Sequence, residues 1–168
     1  MKLEELKAAQ APLKGLYRAT PEAAMITLKA SGRLGEGVTC KIETGKALVA
    51  AGLHPATGGN GLSACSGDML LEALVACAGV TLNAVATALG IELRTASLEA
   101  EGDLDFRGTL GVSKEVPVGF QNIRLKILLD TDASDDQVAS LIRLTERYCV
   151  VYQTLVRPPE ITVSTTKQ

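Results

Sequence analysis

The sequence predicts an α+β fold in one domain. Strand-like period-two alternation flanks a long, strongly apolar helical run at 68–89, and a second helix opens on the acidic cluster at 132–136. With 46% hydrophobic and 21% charged residues, a chain of 168 can bury one sizeable core. Residues 1–24 read as an N-terminal helical extension and 25–168 as the domain proper.

Taken in order, Leu3, Leu6 and Leu13 predict a short amphipathic helix interrupted near Pro12. Ile26, Leu28 and Ala30 alternate with Thr27 and Lys29, which makes Met25–Ser31 a half-buried strand. A turn at Gly32-Arg33-Leu34-Gly35 leads to a second strand carrying Val38, Cys40 and Ile42, and Ala47–Ala51 reads as a third. Gly52–Gly67, rich in Gly, Pro, Asn and Ser, reads as a long loop of the kind that tends to carry function. Asp68–Leu89 then forms a long helix, with Ser66 as N-cap and Gly90 as its stop. Apolar residues cover nearly its whole circumference, which predicts a central, buried helix. Glu72 argues against a membrane span, since a lipid-facing carboxylate costs several kcal/mol. Strands follow at Ile91–Glu101 and Ile123–Leu129 with a connector at 102–120 between them. The second helix runs from the Asp132–Asp136 cluster, favoured in a first turn by the helix dipole, to about Arg147. Ile161-Thr162-Val163 reads as a closing strand.

Composition excludes several functions. Seventeen Lys and Arg against 19 Asp and Glu leave a net charge of −2, without the basic footprint of a nucleic-acid binder. No Trp, 3 Tyr and 2 Phe leave few platforms for stacking bases. The 4 Cys contain no C-x-x-C pair and stand beside 1 His, so neither a disulfide scaffold nor a zinc cluster is expected. The charged start Met1-Lys2-Leu3-Glu4-Glu5 does not resemble a secretory signal, and the expected location is the cytoplasm. What remains is a globular protein whose thiols can do chemistry.

The four cysteines differ in setting. Cys40 shares a strand face with Val38 and Ile42 and reads as a small buried hydrophobe. Cys65, at the approach to the long helix, is either a reactive thiol at a helix N-terminus or a packing corner. Cys77 lies too deep in the helix for that helix's own dipole to ionise it. By composition it is a core cysteine, although Ala76, Ala78 and Gly79 leave room for something to approach the sulfur. Cys149 fits a buried helix-end cysteine and a resolving thiol equally well.

Two segments carry a resemblance. Ser66-Gly67-Asp68-Met69-Leu70-Leu71-Glu72-Ala73-Leu74-Val75-Ala76-Cys77 resembles the Pro-x-Glu-Leu-Leu-Leu-x-Ala-Leu-x-x-Cys pattern of the OsmC/Ohr family, the osmotically induced and organic-hydroperoxide-resistance proteins. Tyr148-Cys149-Val150-Val151-Tyr152-Gln153-Thr154-Leu155 resembles its second motif, Tyr-Cys-x-Val-x-x-Thr-Leu. The resemblance covers roughly residues 25–165 and implies an intertwined homodimer, with curved antiparallel sheets wrapped around long central helices. It implies that Cys77 is the peroxidatic thiolate attacking an organic hydroperoxide and that Cys149 is the resolving thiol. An external dithiol then reduces the disulfide, and no cofactor is bound. It also implies an activating arginine oriented by a carboxylate. Arg33 matches the family's Gly-Gly-Arg turn, with Arg107 as a rival, and Asp68 stands at the family's Glu position, with Glu72 on the next turn as a substitute. Ser66 replaces the family's Pro, and Cys65 and the loop around His54 are additional features, which together suggest a divergent subfamily.

The expected function is therefore a cysteine-based organic hydroperoxide reductase, with no nucleic-acid or membrane partner. One alternative is a non-catalytic, redox-sensing or small-molecule-binding dimer. Another is a Cys–His hydrolase using His54, which lacks any accompanying nucleophile-elbow motif.

Overall fold

A computed structural model describes residues 3–34, 40–42, 52–62 and 64–167, with residues 3–7, 9, 27–34 and 40–42 given by their backbone alone. The elements run α1 (Leu3–Ala19), β1 (Met25–Leu34), β2 (Cys40–Ile42), α2 (Ser66–Leu89), β3 (Thr95–Asp105), α3 (Phe106–Thr109), β4 (Asn122–Asp130), α4 (Asp135–Tyr148) and α5 (Val150–Val156). The four strands form one antiparallel sheet in the order β2-β1-β3-β4.

β3 is the sheet's organising strand. Its alternation buries Ala96, Leu98, Ala100 and Leu104 on one face, and α2 lies across that face. Gly102 belongs to the same series because a Cβ there would collide with the Phe120 ring, which folds over the strand. On α2, Leu71, Leu74, Val75, Ala78, Leu82, Val85 and Ala86 recur at helical spacing and form the buried stripe. Each of its fully buried leucines contributes about 2 kcal/mol relative to an exposed position. Helix α2 also packs against α4 and α5, which close the other side of the core. It ends where Gly90 takes the left-handed conformation at φ 66° and returns its N–H to Ala86 and Thr87. α4 starts with a reciprocal capping box between Ser134 and Gln137.

Several expectations change. α1 runs unbroken through Pro12, which lies on the exposed side, while Leu13 and the buried Tyr17 hold the helix to the body. The Tyr17 hydroxyl donates to Ala56 O at 2.7 Å, so this extension is docked on the 52–62 loop. Gly32-Arg33-Leu34 is strand rather than turn, because the longer β3 continues the ladder with Gly32 opposite Leu98 and Arg33 opposite Ser97. β3 likewise begins later than expected and extends through Asp105, since β1 and β4 both pair with that stretch. The N-cap of α2 is Cys65, one residue before the expected Ser66, and its side chain makes no capping bond. Ile161 and Val163 form no strand; beyond Pro158-Pro159 the chain has no regular secondary structure, and both side chains are more than 80% exposed. Val38 and the expected strand Ala47–Ala51 lie outside the described residues.

Among the described residues, the long helix is not wrapped on all sides. Met69, Leu70 and Val80 remain exposed away from the buried stripe, and Leu89 is exposed at the helix end. By length and composition α2 could cross a membrane, yet its buried stripe packs on the sheet and on α4.

Candidate functional site

Where α4 ends, the chain breaks its helical course for one residue. Cys149 adopts extended geometry (φ −72°, ψ 109°), and α5 starts immediately afterwards with Cys149 as its N-cap. The Cys149 sulfur accepts the Tyr152 N–H at 3.4 Å, using one of the N–H groups that a helix start leaves without intrahelical partners. α5 packs on α2, and this brings the remaining first-turn N–H groups to Cys77.

Cys77 is half-buried, with its thiol beside that of Cys149. Burial raises its pKa, but the opposing contributions are larger. The N–H of Val151, the Cys149 thiol, the N–H of Val150 and the Thr81 hydroxyl all favour the thiolate, and together they hold Cys77 below an ordinary thiol. Cys149 behaves in the opposite way. It is 1% exposed, and burial pushes its thiol up to about 11, reinforced by the neighbouring Cys77 and only partly offset by the Tyr152 N–H. Two adjacent sulfurs are thus driven apart, one toward the nucleophilic thiolate and the other toward a retained proton.

The other expected residues do not gather here. Asp68 precedes Cys77 by nine residues, about two and a half turns, so the helix directs the two to opposite flanks. On its own flank Asp68 is half-buried, which raises its pKa, with His54 acting in the opposing direction. Glu72, one turn on, shares that flank. Arg107 is engaged elsewhere. Its Nε donates to both carboxylate oxygens of Asp105 at 3.0 Å, and its guanidinium completes the pair with the almost fully buried Asp105, the N-cap of α3. Its side-chain hydrogen bonds, above its charge, hold the Asp105 carboxyl below the usual range against the effect of burial. Arg33 lies near the end of β1, between Lys41 and Ser97 in the ladder, and its side chain is outside the described residues.

Cys65 sits at the foot of α2, about 18 Å along the helix axis from Cys77, far beyond the Cα separation a disulfide allows. Cys40 lies on β2 opposite Leu34, with its side chain outside the described residues. His54 is occupied structurally, since its Nδ1 accepts the Ala56 N–H at 3.0 Å and its ring stacks on Phe106 with centroids 5.0 Å apart.

Sequence reasoning sought a side-chain cation for Cys77 and missed the backbone donors of α5. A usable signal was present, since Cys149 stands between two helix-forming runs, where a cap residue belongs.

On the Cys149 side lies a cleft of about 410 Å3 whose walls include Ala78, Leu125, Ile127, Ile142 and Cys149. Its lining is mainly apolar, with Thr145, Glu146 and Tyr152 as the polar members.

The arrangement of helices and sheet matches known structures. An OsmC-like hydroperoxide resistance protein from Jannaschia sp. CCS1 superposes with a TM-score of 0.61 at 15% identity, covering 85% of this chain and 97% of that one. An OsmC-like protein from Mycoplasma pneumoniae superposes with a TM-score of 0.55 at 18% identity, covering 80% and 86%. No curated protein matches the chain in sequence. The sequence profile of the OsmC-like proteins matches residues 58–164, a segment that contains both cysteine motifs and all of α2, α4 and α5. This α+β chain belongs to the OsmC-like protein family.

Proposed function

We propose that the chain is a cysteine-based peroxidase that reduces organic hydroperoxides. The observation that supports this reading above all is the thiol pair at the α5 N-terminus, with Cys77 held below and Cys149 above the ordinary thiol pKa. In the first step the Cys77 thiolate attacks the terminal peroxide oxygen. The O–O bond breaks, the alkoxide leaves and takes a proton as the alcohol, and Cys77 becomes a sulfenic acid. The Cys149 thiol then forms an S–S bond to Cys77, the S–O bond breaks, and water leaves. An external dithiol reduces this disulfide and is itself oxidised to a disulfide.

The proton retained on Cys149 suits that order, since a resolving thiol should not compete for the peroxide. Arg33 is proposed as an additional cation for the thiolate. Asp68 is assigned no part, because it lies across the helix. The apolar cleft favours alkyl over hydrogen peroxide. We further propose a cytoplasmic homodimer in which a second copy covers the exposed apolar face of α2 and the Ile161–Val163 segment. Neither a bound cofactor nor a nucleic-acid or membrane partner belongs to this reading.

The test is steady-state reduction of cumene hydroperoxide driven by a dithiol. Cys77→Ser should abolish turnover, and Cys149→Ser should permit one oxidation per chain without recycling. Turnover by Cys77→Ser would overturn the reading. A second-order rate no greater than that of a free thiol of matched pKa would instead favour a redox-sensing or ligand-binding role.

A further inference from the structure

Thr81 lies one turn beyond Cys77 on α2, so the two side chains share a face of the helix. A threonine hydroxyl inside a helix commonly donates to the carbonyl four residues back. Thr87 does so to Asn83 at 2.9 Å, and Thr145 does so to Leu141 at 2.8 Å. For Thr81 the residue four back is Cys77 itself, and its hydroxyl hydrogen-bonds the sulfur. Both residues are half-buried.

The origin of the donors sets Thr81 apart. Against the effect of burial, the N–H of Val151, the Cys149 thiol and the N–H of Val150 favour an ionised Cys77, and all three belong to the α4–α5 junction. That junction changes in the proposed cycle, because Cys149 loses its thiol proton when the disulfide forms. Thr81 instead belongs to the same helix as the sulfur, and the α-helical repeat fixes its place relative to Cys77. We propose that Thr81 is a further catalytic residue, whose hydroxyl donates to the Cys77 sulfur and holds it ionised for attack on the peroxide. This deepens the peroxidase reading and rests on it for the effect on turnover. The hydrogen bond itself acts on the thiol whatever the electrophile.

The experiment uses the intact protein and iodoacetamide, with Cys77 labelling followed by peptide mass mapping across the thiol titration range. Alkylation involves no peroxide chemistry, so failure of this inference and failure of the peroxidase reading are distinct results. Thr81→Val keeps the branched shape and removes the hydroxyl. It should move the midpoint of Cys77 labelling up by about one pH unit. A more basic thiolate is also the better nucleophile, so labelling should slow about threefold at neutral pH and quicken about threefold on the alkaline plateau. Loosened packing would not cross the profiles in this way, since it speeds labelling at every pH. Thr81→Ala, a second hydroxyl-free variant, should reproduce the Thr81→Val profile, and Thr81→Ser, which retains the hydroxyl, should follow the wild-type protein. At neutral pH the second-order rate with cumene hydroperoxide should fall about threefold in Thr81→Val and recover in Thr81→Ser. An unchanged midpoint in the hydroxyl-free variants would overturn the inference. So would a Thr81→Ser profile that matches Thr81→Val, because packing rather than the hydroxyl would then set the sulfur's reactivity. A shifted midpoint with unchanged peroxide kinetics would overturn the catalytic assignment.

Discussion

On one flank of α2, Cys77 faces the first-turn N–H groups of α5 and the Cys149 thiol; on the opposite flank, Asp68 and Glu72 stand on the side of His54. Both flanks belong to one sequence motif, yet their electrostatics differ. The Cys77 side presents donors that favour an ionised sulfur, drawn from a different helix and fixed by the break at Cys149. The Asp68 side is dominated by burial, which disfavours charge, together with a histidine occupied in capping a turn. A helix motif read linearly merges these two environments, and the helical twist separates them. The difference locates thiol activation at the α2–α5 contact.

The largest effect expected from this contrast is kinetic. Cys77→Ser should lose peroxide-driven turnover altogether, about a thousandfold or more, while Asp68→Asn on the opposite flank should change it by less than about threefold, since a group that touches no reacting atom supplies little of the barrier reduction. Steady-state assays of the two variants compare the flanks directly. An equal loss in both would break the comparison.

Next comes selectivity between the two sulfurs. Because Cys77 is lowered and Cys149 is raised to about 11, iodoacetamide at neutral pH should label Cys77 at least about tenfold faster, read by peptide mass mapping. The pH dependence carries opposite signs. Cys77 should become reactive below the pH at which a free thiol ionises, whereas Cys149 should respond only near pH 11. For stability, the Cys149 contribution is complete below the unfolded thiol pKa and lost as pH rises through about 11, and the Cys77 contribution is lost as pH falls through its lowered pKa. Preferential labelling of Cys149 at neutral pH would reverse the assignment.

The smaller effects concern groups that support the fold without touching the thiols. Asp105→Ala removes the cap of α3 and the partner of Arg107, and loss of the cap alone should cost about 1 kcal/mol, with Cys77 alkylation unchanged. Tyr17→Phe removes the hydrogen bond that ties α1 to Ala56 and should lower stability by about 1 kcal/mol, a fall of about 2–4 °C in Tm. Calorimetry checks both. A change in Cys77 alkylation rate in either variant would mean that the two flanks communicate.

Much of the fold was legible because periodicity reports burial. The α2 stripe, the Gly90 stop, the alternation in β4 and the acidic start of α4 all follow from local sequence. The Gly32-Arg33 stretch was misread because glycine is a local turn signal, whereas the long partner strand β3 determines its pairing. The exposed face of α2 was misread because an apolar residue has the same identity whether its own chain or another surface covers it. At the site, the two motifs pointed to Cys77 and Cys149, which the fold brings side by side. The donors that tune them were hidden, since backbone N–H groups have no signature in side-chain identity and only the helix break at Cys149 exposes them.

The central claim is that Cys77 and Cys149 act as a peroxidatic and resolving pair. It is tested most directly by treating the reduced protein with a single equivalent of an organic hydroperoxide and mapping the disulfide by mass spectrometry. The account predicts an intrachain Cys77–Cys149 bond in the wild-type protein and a sulfenic acid trapped on Cys77 in Cys149→Ser. A disulfide through Cys65 or Cys40, or sulfenic acid formed first on Cys149, would contradict it.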